Sequence, residues 1–159
     1  MKIMILVVGK LKEKYLKDGT AEYIKRLTRF CDIEVCEVED EQAPDNCSPA
    51  QNLQIMSKEA GRLSKKIKEG SFLIALDCRG TKLDSSGFAA KLNTLFISGT
   101  SSITFIIGGS LGLDSSLLER AQFKLSMSDM TFPHQLARLI LLEQLYRSFK
   151  INNNETYHK

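Results

Sequence analysis

The chain has 159 residues, 43% of them hydrophobic and 26% charged, which is typical of an ordinary globular domain. We therefore predict one domain over residues 1–159. No apolar run approaches the roughly 20 residues of a membrane-spanning helix, so we expect no membrane association. The net charge of +3 permits nucleic acid as a partner but does not by itself indicate one.

The four cysteines are spread along the chain, at Cys31, Cys36, Cys47 and Cys78. None forms a Cys-x-x-Cys pair or lies near a histidine, as a zinc site would require. We therefore expect reduced thiols in a cytoplasmic protein and no metal.

The first third of the chain predicts two strands around one helix. The apolar run from Ile3 to Val8, ended by Gly9, indicates a strand buried on both faces; a secretory signal is less favoured, because no cleavage pattern follows. Residues 21–28 have helical spacing, and residues 33–38 are rich in β-branched side chains. Between strand and helix lie four lysines, Lys10, Lys12, Lys14 and Lys17. A solvated helix start explains them, and contact with phosphate is the alternative.

After an acidic surface loop at 39–47, a capping box at residues 48–51 predicts the start of a second helix, with Pro49 at its first position. Gly70 is a plausible C-cap. The predicted buried face of this helix consists of Leu53, Met56, Ala60, Leu63 and Ile67.

Strands and helices continue to alternate. Strands are predicted at residues 72–77, 103–107 and 125–127, with a turn at 78–82. Ser85 or Ser86 is predicted to cap the next helix, and Asp114 or Ser115 is predicted to open another. This alternation predicts an α/β domain with a mainly parallel, open sheet flanked by helices.

The last predicted helix begins near Pro133 and is apolar almost all the way round. Such a helix must be buried in a core or against a second copy of the chain. It nevertheless carries polar residues, at His134, Arg138, Glu143 and Arg147. Buried polar groups must be paired or must line a site, and we favour a site.

In an open parallel sheet, ligands bind beyond the carboxyl ends of the strands. Three such ends carry suitable loops, namely Leu76-Asp77, Gly108-Gly109 and residues 127–132. Glycines let the backbone approach a ligand closely. The glycine loop lacks the dinucleotide fingerprint and the Lys-Ser/Thr of a phosphate loop, so a tight strand-to-helix turn is the alternative.

Several segments together resemble one small family. They are Ile106 to Leu113, Leu125 to Ser128, Met130 to His134, Glu143 to Arg147 and the tail Tyr157-His158-Lys159. In order and spacing they are similar to the RlmH family of SPOUT-class methyltransferases, and the similarity extends over essentially the whole chain. The resemblance implies a C-terminal trefoil knot, which is an exception to the rule that chains do not thread loops. It also implies a homodimer that methylates N3 of a pseudouridine in large-subunit ribosomal RNA, on assembled ribosomes.

The resemblance implies S-adenosylmethionine as the cofactor, held by the knot loops. The residues that we expect to bind it are Leu76, Gly108, Gly109, Met127, Ser128, Asp129, Met130, Thr131 and Phe132. Asp129 is a departure from the pattern of the family, so backbone contacts are expected there rather than side-chain contacts.

Catalytic roles are expected for five residues, His134, Arg138, Arg147, Tyr157 and His158. N3 of pseudouridine must lose its proton before it attacks a sulfonium methyl group, and either histidine would assist. The two arginines would hold RNA phosphate or uracil oxygens, and the tyrosine, from a tail that orders on binding, would position the base. The alternatives are a satisfied helix-start histidine and arginines paired with Glu143 or with a dimer mate.

Three other functions are compatible with parts of this pattern. A knotted methyltransferase with another RNA target would share the cofactor loops, and an RNA- or ribosome-binding module without catalysis would not need them. A nucleotide hydrolase is disfavoured by the missing phosphate-loop lysine.

Overall fold

The structure of the protein, a computed structural model, describes residues 1–157. Strands and helices alternate along the chain. The strands are β1 (Lys2–Val8), β2 (Asp32–Val38), β3 (Phe72–Lys82), β4 (Ser102–Ile107) and β5 (Phe123–Ser126). The helices are α1 (Lys14–Leu27), α2 (Pro49–Ser64), α3 (Ser85–Ile97), α4 (Ser115–Arg120) and α5 (His134–Asn152).

The five strands form one sheet in the order β2-β1-β4-β3-β5, and every neighbouring pair is parallel. The predicted α/β class and parallel sheet are therefore confirmed. Because all strands point the same way, the loops after β1, β4, β3 and β5 meet at one edge. The order reverses direction between β1 and β4, which is where an open sheet of this kind forms a crevice.

Both faces of the sheet are covered, and β1 shows why its sequence is continuously apolar. Ile3, Ile5 and Val7 pack into a core with α1, α3 and α5. The alternate residues Met4 and Leu6 pack with α2 and α4 on the other face. A strand in a parallel sheet has no solvent side, so it needs no polar alternation.

The predicted start of α2 is confirmed, and its predicted end is wrong. Ser48 and Gln51 form both hydrogen bonds of the capping box. The helix stops at Ser64 rather than near Gly70, because tight turns over residues 63–67 bring Ile67 back onto the core. The cap of α3 was also misplaced: the Asp84 carboxylate, and neither of the following serines, accepts the hydrogen bond of the first turn.

The predicted turn at residues 78–82 is instead a continuation of β3. The strand pairs with β5 at Leu76 and again at Thr81, with a register shift between them. Gly80 allows this second approach, because a Cβ there would lie 2.6 Å from the Lys124 carbonyl oxygen. β5 correspondingly begins at Phe123, two residues earlier than predicted.

Helix α5 lies between α1 and α3, and its buried residues include a charged one. The Arg138 side chain is 2% exposed. Its Nη1 donates to Glu37 Oε1 at 2.5 Å, and its Nη2 donates to the Gly9 carbonyl oxygen at 2.9 Å. One guanidinium thus ties the start of α5 to the ends of β1 and β2.

Strand order alone does not test the trefoil knot, which stays a prediction. Within residues 1–157, no helix is long and apolar enough to cross a membrane.

We predict that Arg138→Ala lowers the free energy of unfolding by about 3 kcal/mol, because it leaves the Glu37 carboxylate and the Gly9 carbonyl without their donors. The matched control is Lys68→Ala, which removes an exposed ion pair with Glu34 on the same strand and should cost less than about 1 kcal/mol. Urea denaturation of both variants checks this. Equal losses would show that Arg138 contributes no more than a surface pair.

Candidate functional site

A cavity of about 810 Å³ opens at the carboxyl ends of the strands. Its walls come from the second half of β3, from the loops that follow β4 and β5, and from the start of α5. Of the residues expected to bind a cofactor, those lining the cavity are Leu76, Gly108, Gly109, Met127, Ser128, Met130, Thr131 and Phe132. The structure thus gathers residues that lie as far as 56 positions apart in sequence around one space.

Asp129 is the one member of that expected set that does not line the cavity. Its side chain is 80% exposed and forms an ion pair with Lys82, at the end of β3. The Asp129 side chain therefore contributes nothing to the cavity wall.

The glycine loop makes a tight turn and lines the cavity, so both interpretations of its sequence apply. Gly112 donates its N–H to the Gly109 carbonyl at 3.1 Å and adopts a φ of +87°, which favours glycine. A Cβ on Gly108 would lie 2.5 Å from the backbone of Gly112. Only glycine therefore fits at Gly108, and bare backbone faces the cavity.

The loop after β5 is held by its own hydroxyl groups. Ser126 Oγ donates to the Ser128 carbonyl at 3.3 Å, and Ser128 Oγ accepts from the Met130 N–H at 3.0 Å. These bonds satisfy part of the loop without a side chain from elsewhere. Met130, which belongs to the same loop, is 72% exposed.

His134 lies between this cavity and the ends of β1 and β2. It lines the cavity, and its Nε2 lies 3.4 Å from where a Cβ on Gly9 would be. Burial lowers its pKa, and the charges of Arg138 and Lys12 lower it further, while Asp40 acts in the opposite direction. The imidazole is therefore neutral at pH 7 and can accept a proton.

Arg138 does not line the cavity, because its guanidinium is enclosed by Glu37 and the Gly9 carbonyl. Within the chain its partners are therefore Glu37 and Gly9 and not the predicted Glu143, whereas a contact with a dimer mate stays a prediction. In this conformation Arg138 positions the helix that presents His134, one turn away on α5.

Arg147 and Tyr157 form a second cluster, further along α5. Arg147 donates to Glu143 Oε1 from Nε and from Nη2, at 3.0 and 2.6 Å, which confirms the predicted pair one turn apart. The Tyr157 hydroxyl donates to the same oxygen at 3.1 Å, and its ring lies 4.8 Å from the Arg147 guanidinium carbon. Neither residue lines the cavity of its own chain.

The tail is packed against the rest of the chain as far as Tyr157. The Tyr157 ring meets Tyr146 edge-on, with centroids 5.0 Å apart, and Glu155 pairs with Lys150 and Arg29. Tyr157 thus has defined partners within its own chain, and ordering of the tail on binding stays a prediction. His158, the other tail residue with an expected role, lies outside the described residues.

Sequence reasoning missed Glu59, which is buried on α2 directly beside the glycine loop. It is 4% exposed, and its Oε1 accepts the Glu41 N–H at 3.0 Å. Its two oxygens lie 3.1 and 3.3 Å from where a Cβ on Gly109 would be, so the carboxylate supports the loop from outside the cavity. Burial raises its pKa.

A signal for Glu59 was present in the sequence. Position 59 belongs to the same helical face as positions 56, 60 and 63, but the predicted buried face of this helix contains apolar residues only. Leu53, which was placed on the buried face, is 60% exposed.

Among residues 1–157, no cluster of three or more His, Cys, Asp or Glu side chains is arranged to hold a metal ion. That the protein needs no metal stays a prediction.

Comparison with known proteins identifies close relatives. The family described as predicted SPOUT methyltransferase matches residues 1–158. Two proteins named ribosomal RNA large subunit methyltransferase H, from Acetivibrio thermocellus and Ruminiclostridium cellulolyticum, are each 60% identical over 159 residues, with both chains covered completely.

Solved structures share the fold at low identity. A probable methylase family protein from Haemophilus influenzae has a TM-score of 0.55 at 15% identity, covering 99% of this chain and 70% of its own. A tRNA (m1G37) methyltransferase from Aquifex aeolicus has a TM-score of 0.51 at 14% identity, covering 92% of this chain and 70% of its own.

We predict that Gly109→Ala lowers the free energy of unfolding by about 1–3 kcal/mol, because its Cβ would press on the Glu59 carboxylate and on Val8 Cγ1. The cost should be smaller in a Glu59→Ala background, with a coupling energy of at least about 0.5 kcal/mol in a double-mutant cycle. Gly61→Ala, in a helical position with open space, is the control and should stabilise by about 0.5–1 kcal/mol. Strict additivity of the two changes would contradict contact between Glu59 and Gly109.

A second prediction concerns His134, whose lowered pKa makes the unfolded chain the better proton acceptor. Stability should therefore fall as pH decreases below the ordinary histidine pKa of about 6.5, and should level off below the folded pKa. His134→Gln should remove this component. The pH dependence of the free energy of unfolding is measured by urea denaturation between pH 5 and pH 8, in steps of about half a pH unit. An unchanged pH profile in the variant would refute the assignment.

Proposed function

The chain belongs to the SPOUT methyltransferase family, and we propose that it transfers a methyl group from S-adenosylmethionine to N3 of a pseudouridine in large-subunit ribosomal RNA. The RNA target is taken from relatives named ribosomal RNA large subunit methyltransferase H, which are 54–60% identical over the full length of this chain. The observation that carries the cofactor assignment is the cavity, because the loops implied by the resemblance enclose it.

The chemistry of the cavity fits S-adenosylmethionine. Its volume of about 810 Å³ is within the range of small-molecule sites. The bare backbone of the glycine loop and of residues 127–132 offers N–H and C=O groups that suit the edge of adenine. Leu76, Leu125 and Phe132 add apolar surface for the ring and the aliphatic part. When bound, the cofactor supplies a methyl group on a positively charged sulfur.

The protein's own contribution to the reaction is placement and proton removal. His134 lies where the cavity meets α5, and as a neutral imidazole it can accept the imide proton of N3. Arg138 keeps His134 in place through the Glu37 and Gly9 contacts. Closely held reactants gain most of their rate from orientation, so a rigid start of α5 serves the reaction.

A homodimer would give a role to the second cluster, formed by Arg147 and Tyr157. Arg147 follows the cavity-lining Ala137 by ten residues, which is about 15 Å of helix. Arg147, Tyr157 and the adjacent His158 therefore act, in our proposal, at the cavity of a second copy. Partly exposed Leu136 and Ile140 on α5, and a further 370 Å³ cavity bordered by Phe132 and Ile140, supply an apolar contact surface.

The remaining parts of the proposal follow from the family and the substrate. We propose the trefoil knot as the arrangement of the cofactor loops, and assembled ribosomes in the cytoplasm as the place of action. The small net charge of +3 supports a substrate larger than naked RNA, which brings contacts other than phosphate.

The first test is isothermal titration of S-adenosylmethionine into the purified protein, with ATP as the control ligand. We expect saturable binding of the methyl donor alone. Leu76→Ala removes a cavity wall and should weaken binding roughly tenfold, whereas Asp129→Ala should change it less than about twofold.

Methyl transfer is then measured on ribosomes that lack the modification. No titration signal with folded protein would refute the cofactor site and favour a binding module. Cofactor binding without methyl transfer to these ribosomes would favour the alternative function, a methyltransferase with another RNA target.

A further inference from the structure

Charge is distributed very unevenly along the chain. Residues 10–29 contain seven basic and three acidic side chains, so this segment alone has a larger net positive charge than the +3 of the whole chain. Residues 32–45 contain seven acidic side chains and no basic one. We call the first set the basic ridge; it consists of Lys10, Lys12, Lys14, Lys17, Lys25, Arg26 and Arg29.

The ridge begins at the rim of the cofactor cavity. Lys10 follows Gly9, whose Cβ position lies 3.4 Å from His134 Nε2. The Lys12 N–H donates to Gln135 Oε1 at 3.0 Å, and its charge lowers the pKa of His134. The first lysines are therefore fixed beside the residue proposed to accept the substrate proton.

The ridge then continues along α1, which is held rigidly. Leu16, Thr20 and Leu27 are buried, and α1 packs against α5. Every basic side chain of the ridge is exposed, and the Tyr15 ring is 68% exposed among the lysines. Exposed cations with an aromatic ring suit phosphate contact and base stacking.

The ion pairs of the ridge leave most of its charge available. Lys14 pairs with Asp18, Arg26 with Glu22 and Arg29 with Glu155, all on exposed surface where such pairs are weak. Within residues 1–157, four cations of the ridge form no ion pair, namely Lys10, Lys12, Lys17 and Lys25.

We propose that the basic ridge is the surface along which the RNA backbone lies while its target nucleotide enters the cavity. This inference rests on the proposed function and adds to it the face and direction of approach. Acidic residues of β2 and of the loop after it repel phosphate on the neighbouring edge, so RNA is accepted on the α1 side only. The partner is recognised through phosphates, which explains how a small net charge can serve an RNA enzyme.

The experiment compares two variants with the same change in charge. The ridge variant is Lys10→Gln, Lys17→Gln, Lys25→Gln. The control is Lys65→Gln, Lys66→Gln, Lys68→Gln, three exposed lysines just after α2, which packs on the other face of the sheet from α1. Methyl transfer to ribosomes lacking the modification is measured over a series of salt concentrations. Cofactor affinity and thermal stability are measured in parallel.

We expect the ridge variant to raise KM for ribosomes roughly tenfold or more, with cofactor affinity and kcat unchanged. The dependence of log(kcat/KM) on log salt should become shallower by about 0.7–0.9 for each lost phosphate contact. The control variant should match wild type. Lysine-to-arginine changes at the same three ridge positions should restore KM, since they keep the charge.

Three results would overturn the inference. The first is a ridge variant with the KM and salt dependence of wild type. The second is an equal loss in ridge and control variants, which would indicate general charge attraction. The third is a wild-type protein that binds the cofactor but does not methylate ribosomes; this would refute the proposed target too, whereas the first two leave it intact.

Discussion

The structure depends most on one buried guanidinium. Arg138 loses nearly all contact with water, and this is tolerated because a carboxylate and a carbonyl oxygen both accept from it. Glu37 and Gly9 lie at the ends of two neighbouring strands. Through its bonds to both, Arg138 fixes the position of α5 relative to this edge of the sheet. His134 lies one turn earlier on the same helix. Its position in the cavity wall is therefore a consequence of an ion pair that never touches the cavity.

The cavity itself is built mainly from backbone. Gly108 approaches Gly112 so closely that no side chain fits between them, and Glu59 occupies the space beside Gly109. The glycine loop is thus limited on one side by its own turn and on the other by a carboxylate. A site of this kind tolerates change in exposed side chains such as Asp129, but it is sensitive to one added methyl group at its glycines.

Features set by local chemistry could be predicted from sequence, and features set by distant partners could not. Apolar runs gave the strands, and Ser48 with Gln51 gave the start of α2, because both depend on neighbouring residues. The extension of β3 past Asp77 depends on a second pairing with β5. Likewise, the partner of Arg138 lies 101 residues away, and no spacing rule points to it. The cavity loops could be located from the ends of the predicted strands, but their cofactor was inferred from the resemblance, since a glycine turn alone is equally a simple turn.

The strand order has a consequence for biosynthesis. β1 is made first, yet it lies between β2 and β4, and its second partner begins at Ser102. At roughly 5–20 residues per second, an apolar strand must wait several seconds for that neighbour as the nascent chain emerges. The Arg138 contact comes later still, when α5 has left the ribosome. The site is complete only after α5 has been made, and until β4 emerges β1 has a hydrogen-bonding partner on one side only.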